Sequence, residues 1–390
     1  MNKNTRLWGT ALIAIAALQP MIAHADEATK RADATLKAMT PEEKTIITHG
    51  IMPLPVGTHP AALPEGAVPG AGYIAGIPRL NIPALTETDA SLGVSYVFGL
   101  RKDGATAMPS GLAMAATWNP ALLRHGGEVI GQETRAKGFN VLLAGGTNLM
   151  RDPRNGRTFE YLSEDPLLSG VLVGNAIAGI QSNNIISTIK HFALNGQETG
   201  RKFADVKITD AAARESDLLA FQIGIELGNP GSVMCSYNRV NGEQGCASDY
   251  LLNKVLKQDW GYKGFVMSDW GAVPNLEAAL KGLDQQSGEQ LDPAEIGQHY
   301  DHGGGERLVD LTIRTGPFGD RYGENPDGLT LEKIKAAAHG VDEVVLGLRD
   351  DPVVRRTADA QRRDLGEQRR VRHARHPMRV GGPAGRCGRR

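Results

Sequence analysis

An excess of charge of either sign is missing from this chain. Its 43 Lys and Arg stand against 44 Asp and Glu, a formal net charge of −1. Such a balance gives no long-range pull toward nucleic acid or an anionic membrane, so neither is expected as a partner. Aromatic residues are few, at 5%, and glycine is plentiful, at 48 residues. That excludes a coiled coil or fibre and suits an α/β domain with many tight strand–helix turns. Beyond the N-terminus no run approaches the roughly 18 apolar residues that a membrane span needs. No glycine-rich phosphate turn opens a helix, so no nucleotide cofactor is expected. His299, Asp301, His302 and Glu306 surround a glycine run. Their spacing matches no metal site and reads as a solvated loop, so no metal is expected either.

The first residues read as a targeting segment. Lys3 and Arg6 precede a short apolar run, Ala11 to Leu18, and Ala23-His24-Ala25 offers small residues at both cleavage-determining positions. A secretory signal cleaved after Ala25 is predicted, which implies a periplasmic or secreted protein; the alternative is an uncleaved anchor. Cysteine is scarce: Cys235 and Cys246 lie close in sequence and Cys387 stands apart. In an oxidising compartment the first two either bridge a short loop or remain two buried thiols.

From Ile82 to Gly271 the chain is rhythmic. Short apolar runs end on polar residues: IPALTETD at Asp89, FNVLLAGGTN at Asn148, IISTIKH at His191, SVMCSYN at Asn238 and GFVMSD at Asp269. Helical patterns separate them, at Leu168 to Gln181, at Thr209 to Leu227 with Thr209 as cap, and at Asp249 to Trp260, stopped by Gly261. Strands alternating with helices predict a parallel sheet covered on both faces. Polar residues at successive strand ends favour a (β/α)8 TIM-like barrel, whose chemistry sits on that rim, over an open doubly wound sheet.

The carboxylates point to a reaction class. Asp269 ends a buried strand beside Trp270; it is either a nucleophile beside a sugar-supporting ring or a helix cap. Lys190 and His191 are adjacent, and adjacent strand residues face opposite ways, so a half-buried ion pair competes with a site role. Asp89 carries the same ambiguity. Polar residues at several strand ends of one barrel nevertheless predict a concave polar site.

Several ordered motifs agree at once: GIPRLNIPALTETDASLG, LAMAATWNPALL, RAKGFNVLLAGGTNLMRDPRNGRTFEYLSEDP, STIKHFALNGQETGR, VMCSYNRVNGEQGC and GFVMSDWGA. Across roughly Met39 to Gln290 the chain resembles glycoside hydrolase family 3, in its two-domain β-glucosidase branch. The resemblance implies a barrel and a retaining exo-acting mechanism on terminal β-D-glucosyl residues of β-glucosides or β-linked oligosaccharides. It makes Asp269 the nucleophile. Asp89, Arg157, Lys190 and His191 match residues that bind the sugar's hydroxyls, Tyr237 the tyrosine near the nucleophile, and Trp270 a wall of the sugar site. Arg157 and Lys190 are expected to lower the pKa of Asp269. The cluster Glu160, Glu164 and Asp165 is read as support for the barrel and its arginine. A β-xylosidase of the same family, or a catalytically silent sugar-binding barrel, are the alternatives.

After about Gln290 the resemblance fades. A second domain normally supplies the family's acid/base glutamate, and Glu198 is the first candidate inside the barrel. Residues 351–355 resemble the linker that precedes that domain. Beyond it, the last forty residues hold 12 of the 28 arginines and no lysine. That stretch cannot bury a core and reads as disordered or out of frame. The expected organisation is therefore a signal over 1–25, the barrel over 26–350, and a linker remnant with an Arg-rich tail over 351–390. The sequence leaves the oligomeric state open.

Overall fold

The computed structural model describes residues 30–53, 64–95 and 101–287. The expected leader, the His299–Glu306 loop and the Arg-rich tail lie outside them. Helix α1 covers 30–38. Helix α2, Pro41–Thr48, opens on a reciprocal cap: Thr40 Oγ1 accepts from Glu43 N at 3.2 Å, and Glu43 Oε2 accepts from Thr40 N at 2.9 Å. Strands β1, Gly72–Ile74, and β2, Leu85–Thr88, follow. Next come α3, Gly111–Ala115; α4, Pro120–Ala136; β3, Val141–Leu142; α5, Pro166–Gln181; and β4, Ile186–Phe192. The rest is β5, Asp205–Val206; α6, Asp210–Glu215; α7, Asp217–Gly228; β6, Ser232–Cys235; the ribbon β7, Arg239–Val240, with β8, Glu243–Gln244; a π-helix, Asp249–Asp259; and β9, Phe265–Met267.

One sheet runs in the order β1-β2-β3-β4-β6-β9. Two bridge segments close it into a ring. Gln285 pairs in parallel with Met267, Gln286 in parallel with His49, and Ile51 antiparallel with Tyr73. Six strands and these two segments, 285–286 and 49–51, give the eight staves of a TIM-like barrel. An open doubly wound sheet is thereby excluded. One stave departs from the all-parallel expectation: β1 is antiparallel to β2 and to its other neighbour. The connection over 75–84 explains this. It makes a tight turn at Pro78–Leu80, closed by Asn81 at φ 58°, and is too short for a crossover helix.

Strand alternation separates two cores. Val141, Leu143, Met234, Phe265 and Met267 pack in one cluster with Ile47 and Ile74. Val233, Cys235 and Val266 face the other, against Leu172, Ile177, Phe221 and Leu252 of the surrounding helices. Both faces are buried, which is why the strands read as continuous apolar runs. Some of the abundant glycine serves helix packing. A Cβ on Gly127 of α4 would lie 2.1 Å from the Ala176 carbonyl oxygen of α5, and one on Gly179 of α5 would lie 2.0 Å from that of Arg124.

Two predicted helices differ from expectation. The pattern over Thr209–Leu227 is two helices, broken at Ser216 (φ −126°, ψ −102°). The Ser216 hydroxyl donates to the Ala212 carbonyl at 2.6 Å and lies 3.1 Å from Asp217 Oδ2, competing locally with the helical ladder. Thr209 does cap the first, accepting from Ala212 N. The segment after Ser248 is a π-helix, and Gly261 follows it at φ +64°. Cys235 and Cys246 form a disulfide. No helix among the described residues is long and apolar enough to cross a membrane.

Candidate active site

The parallel staves bring their C-terminal ends to one rim, where barrels of this kind place their chemistry. Asp89 follows β2, and Arg157 and Glu160 stand in the long connection after β3. Lys190 and His191 end β4, Tyr237 follows β6, and Asp269 and Trp270 follow β9. All eight line one cavity of about 590 Å³, a volume suited to a small organic ligand. Every residue expected at the site is thus brought together.

Plain strand alternation would turn Lys190 and His191 to opposite faces, the reading that competed with a site role; both instead line the cavity. Lys190 pairs with Met234 and Phe192 with Cys235, so the register shifts across His191. A bulge at this point turns both side chains to the cavity. The Asn148 amide stands in for the missing ladder partner. It accepts from His191 N and donates to the His191 carbonyl, both at 2.9 Å.

Asp269 is almost fully buried, at 6% exposure. Its Oδ1 accepts from the Tyr237 hydroxyl at 2.9 Å and from Trp270 N at 2.7 Å. The same hydroxyl reaches the Trp270 carbonyl. Oδ2 faces His191 Nε2 at 3.6 Å, beyond hydrogen-bond length. One oxygen is tied and the other is left toward the cavity. The carboxyl is pushed above its ordinary pKa by burial; Lys190, the Tyr237 hydroxyl, the Trp270 amide and Arg157 oppose that shift without reversing it. The expected lowering is therefore corrected: desolvation wins over the cations.

Those cations are largely spent on other carboxylates. Lys190 Nζ lies 3.1 Å from Asp89 Oδ1 and 3.3 Å from Glu160 Oε1. Arg157 Nη2 lies 2.7 Å from Glu160 Oε2, and Arg157 Nε donates to the same oxygen at 2.9 Å. Burial raises the Glu160 carboxyl, but Lys190 and Arg157 more than offset it and hold it low. Lys190 stays above its ordinary value despite burial, because Glu160 and Asp89 face it. His191 is held well below its ordinary value by burial first and by Arg157 and Lys190 next, so its imidazole is neutral.

Sequence reasoning assigned Glu160 to support alone; it does brace Arg157, and it also walls the cavity. Arg201 was missed. It lines the cavity and stacks 3.8 Å from the Tyr237 ring centroid. Its signal lay in the motif GQETGR, where a cationic side chain sits in a strand-end loop. Glu198 is outside the cavity lining. It is engaged by Arg201 at 2.6 Å and by Asn195 at 3.1 Å. Asp165 caps α5 through Leu168 N. Among the described residues no group of three His, Cys, Asp or Glu is placed to hold a metal.

Residues 75–289 match the family described as glycosyl hydrolase family 3 N terminal domain. Beta-glucosidase BoGH3A of Bacteroides ovatus is 40% identical over 222 residues, which is 55% of this chain and 30% of that protein. Beta-glucosidase B of Emericella nidulans is 42% identical over 210 residues, 53% of this chain and 25% of that protein. The chain thus matches less than a third of each of these relatives. Among solved structures, beta-glucosidase 3B from Thermotoga neapolitana in complex with glucose superposes with a TM-score of 0.67 at 34% identity. That match covers 80% of this chain and 46% of the other. Beta-D-glucoside glucohydrolase from Trichoderma reesei gives 0.66 at 29% identity, covering 77% and 42%.

Proposed function

The chain belongs to glycosyl hydrolase family 3, and from that membership we propose that its barrel is the catalytic part of a retaining exo-β-glucosidase. The observation that carries this reading is the asymmetry of Asp269: Oδ1 is held by two donors, while Oδ2, at the cavity wall, has no hydrogen-bond partner among the described residues. In the proposed reaction Oδ2 attacks the anomeric carbon of a terminal β-D-glucosyl unit. The bond to the aglycone breaks, and its electron pair leaves on the glycosidic oxygen, which takes a proton. Water then attacks the anomeric carbon, gives up its proton and releases Asp269. Asp89, Arg157, Lys190 and His191 are proposed to hold the sugar's hydroxyls, with Trp270 against its apolar face. The β-glucosidase names of the relatives, and the glucose held by one structural neighbour, support a β-glucoside substrate over a β-xyloside.

A double displacement also needs an acid/base carboxyl about 5–5.5 Å from the nucleophile. Of the other carboxylates lining the cavity, Asp89 and Glu160 are both paired with cations. The described residues therefore hold the nucleophile half of the site. Export and cleavage after Ala25 belong to the same proposal; the Cys235–Cys246 disulfide is what an oxidising compartment supports.

The direct test is covalent trapping. A 2-deoxy-2-fluoro-glucoside with a good leaving group should label Asp269, read by peptide mass. Asp269→Asn should take no label and lose nearly all turnover while keeping the parent's melting behaviour. Label on another residue would sink the assignment.

A further inference from the structure

His191 is gripped from behind by two side chains that do not line the cavity. Asn148 holds its backbone on both sides. Tyr161, with no exposed surface, meets the ring edge-on, with centroids 6.3 Å apart at 77°. The Tyr161 hydroxyl lies 3.2 Å from His191 Nδ1, its one hydrogen-bond partner among the described residues. On the far side of the ring, Nε2 stands 3.6 Å from Asp269 Oδ2.

A neutral imidazole carries one proton and has two places for it. With the proton on Nδ1, Tyr161 would have to accept. Its own O–H would then point into the core with no acceptor, and the bare Nε2 lone pair would face a carboxylate. Both consequences are unfavourable in a dry interior. With the proton on Nε2, Tyr161 donates to the Nδ1 lone pair, and an N–H dipole faces Asp269 and the cavity. Burial raises the phenol's pKa and keeps it protonated, so the donor is always present.

We propose that Tyr161 is a positioning residue that fixes His191 as its Nε2–H tautomer, so that His191 meets the cavity as a neutral hydrogen-bond donor. A fixed donor accepts from nothing and gives one bond, to a sugar oxygen or to Asp269. It selects ligands that present an acceptor at that wall. Only the consequence for sugar binding rests on the β-glucosidase reading; the tautomer itself follows from the three contacts around the ring.

The two parts can be tested separately on the full chain. Long-range proton–nitrogen spectra of the ¹⁵N-histidine-labelled protein should show His191 protonated at Nε2 and bare at Nδ1. Its signal is identified by its loss in His191→Gln or, if that variant does not fold, by its contact with the Tyr161 ring protons. In Tyr161→Phe the two nitrogens should move toward averaged shifts as the other tautomer is populated. Glucose affinity, by calorimetry, should fall on the order of tenfold, the worth of one well-placed hydrogen bond. Protonation at Nδ1 in the parent, or an unchanged Nε2–H signal in Tyr161→Phe, overturns the proposal. A shifted tautomer with unchanged glucose affinity leaves the positioning role standing and overturns instead the reading of His191 as a sugar contact.

Discussion

Asp269 carries a conflict between solvation and charge. Burial raises its pKa, while the Tyr237 hydroxyl, the Trp270 amide and two cations pull it down. A nucleophile must be ionised, so the acid limb of kcat/KM should sit above the ordinary aspartate range. Tyr237→Phe removes one of the lowering contacts. The limb should then move further up in pH, with kcat reduced, in a pH–rate profile of an aryl β-glucoside; a limb that stays in place would mean that Tyr237 does not tune the nucleophile. At Asp89 the expectation is one of grip. Hydrogen bonds to a charged group are each worth roughly 1.5–3 kcal/mol. Asp89→Ala should therefore lower kcat/KM by one to two orders of magnitude or more, and an unchanged ratio would make Asp89 merely the partner of Lys190. Asp89, Lys190, His191 and Asp269 stood out because each ends an apolar run, while Arg157 and Tyr237 were legible only through the family resemblance. Arg201 was less so, since its value comes from stacking on Tyr237 across two loops, a contact no local pattern encodes.

Elements were legible where a single period governed them, as in β4 and α5, and misread where a local competitor intervened. Ser216 breaks a helix through hydrogen bonds of its own side chain, and the bulge at His191 overrides strand alternation through a register shift. β2 shows a cost hidden by the apolar pattern. It carries Glu87, fully inside the barrel, with Oε1 bonded to Gln285 at 3.2 Å and Oε2 without a partner among the described residues. Burial pushes its pKa up to about 7, from an ordinary 4.5. The folded state therefore holds this proton more tightly than the unfolded chain. Stability from this group is present below about pH 4.5 and is lost as pH rises toward 7, by about 3 kcal/mol at most. His191 acts in the opposite sense: its lowered pKa makes the fold lose stability as pH falls below the ordinary histidine value. Glu87→Gln should flatten the decline between pH 5 and 7, giving a more stable protein at pH 8 than the parent in urea melts. A variant with the parent's slope would show that Glu87 stays ionised.

At the scale of the whole molecule, the sequence predicts a barrel from five strand-like runs, and the structure supplies the closure they lacked. Segments 49–51 and 285–286 are too short and too polar to be read as strands. Their pairing through His49, Gln286 and Gln285 is fixed only when the ring is complete. The closed rim gathers Asp269, the donors on its Oδ1 and the cations Lys190 and Arg157, yet each other carboxylate at the cavity is bound to Lys190 or Arg157. Where no carboxylate from outside the described residues joins the cavity, that distribution has a kinetic consequence. General acid assistance is typically worth about 10²–10⁴-fold, and its loss falls hardest on expulsion of a basic alkoxide. Cellobiose should turn over very slowly. A nitrophenyl glucoside, which leaves with little protonation, should react with Asp269 in a burst equal to the enzyme present. Hydrolysis of the glucosyl-enzyme should then limit the rate, for want of a base to activate water. Azide attacks without giving up a proton, so it should accelerate that second step and yield β-glucosyl azide, the product of two inversions. Rapid cellobiose hydrolysis, with no burst and no azide effect, would instead place an acid/base group within reach of the cavity. Glu198→Gln would then show whether that group is the carboxylate now held by Arg201.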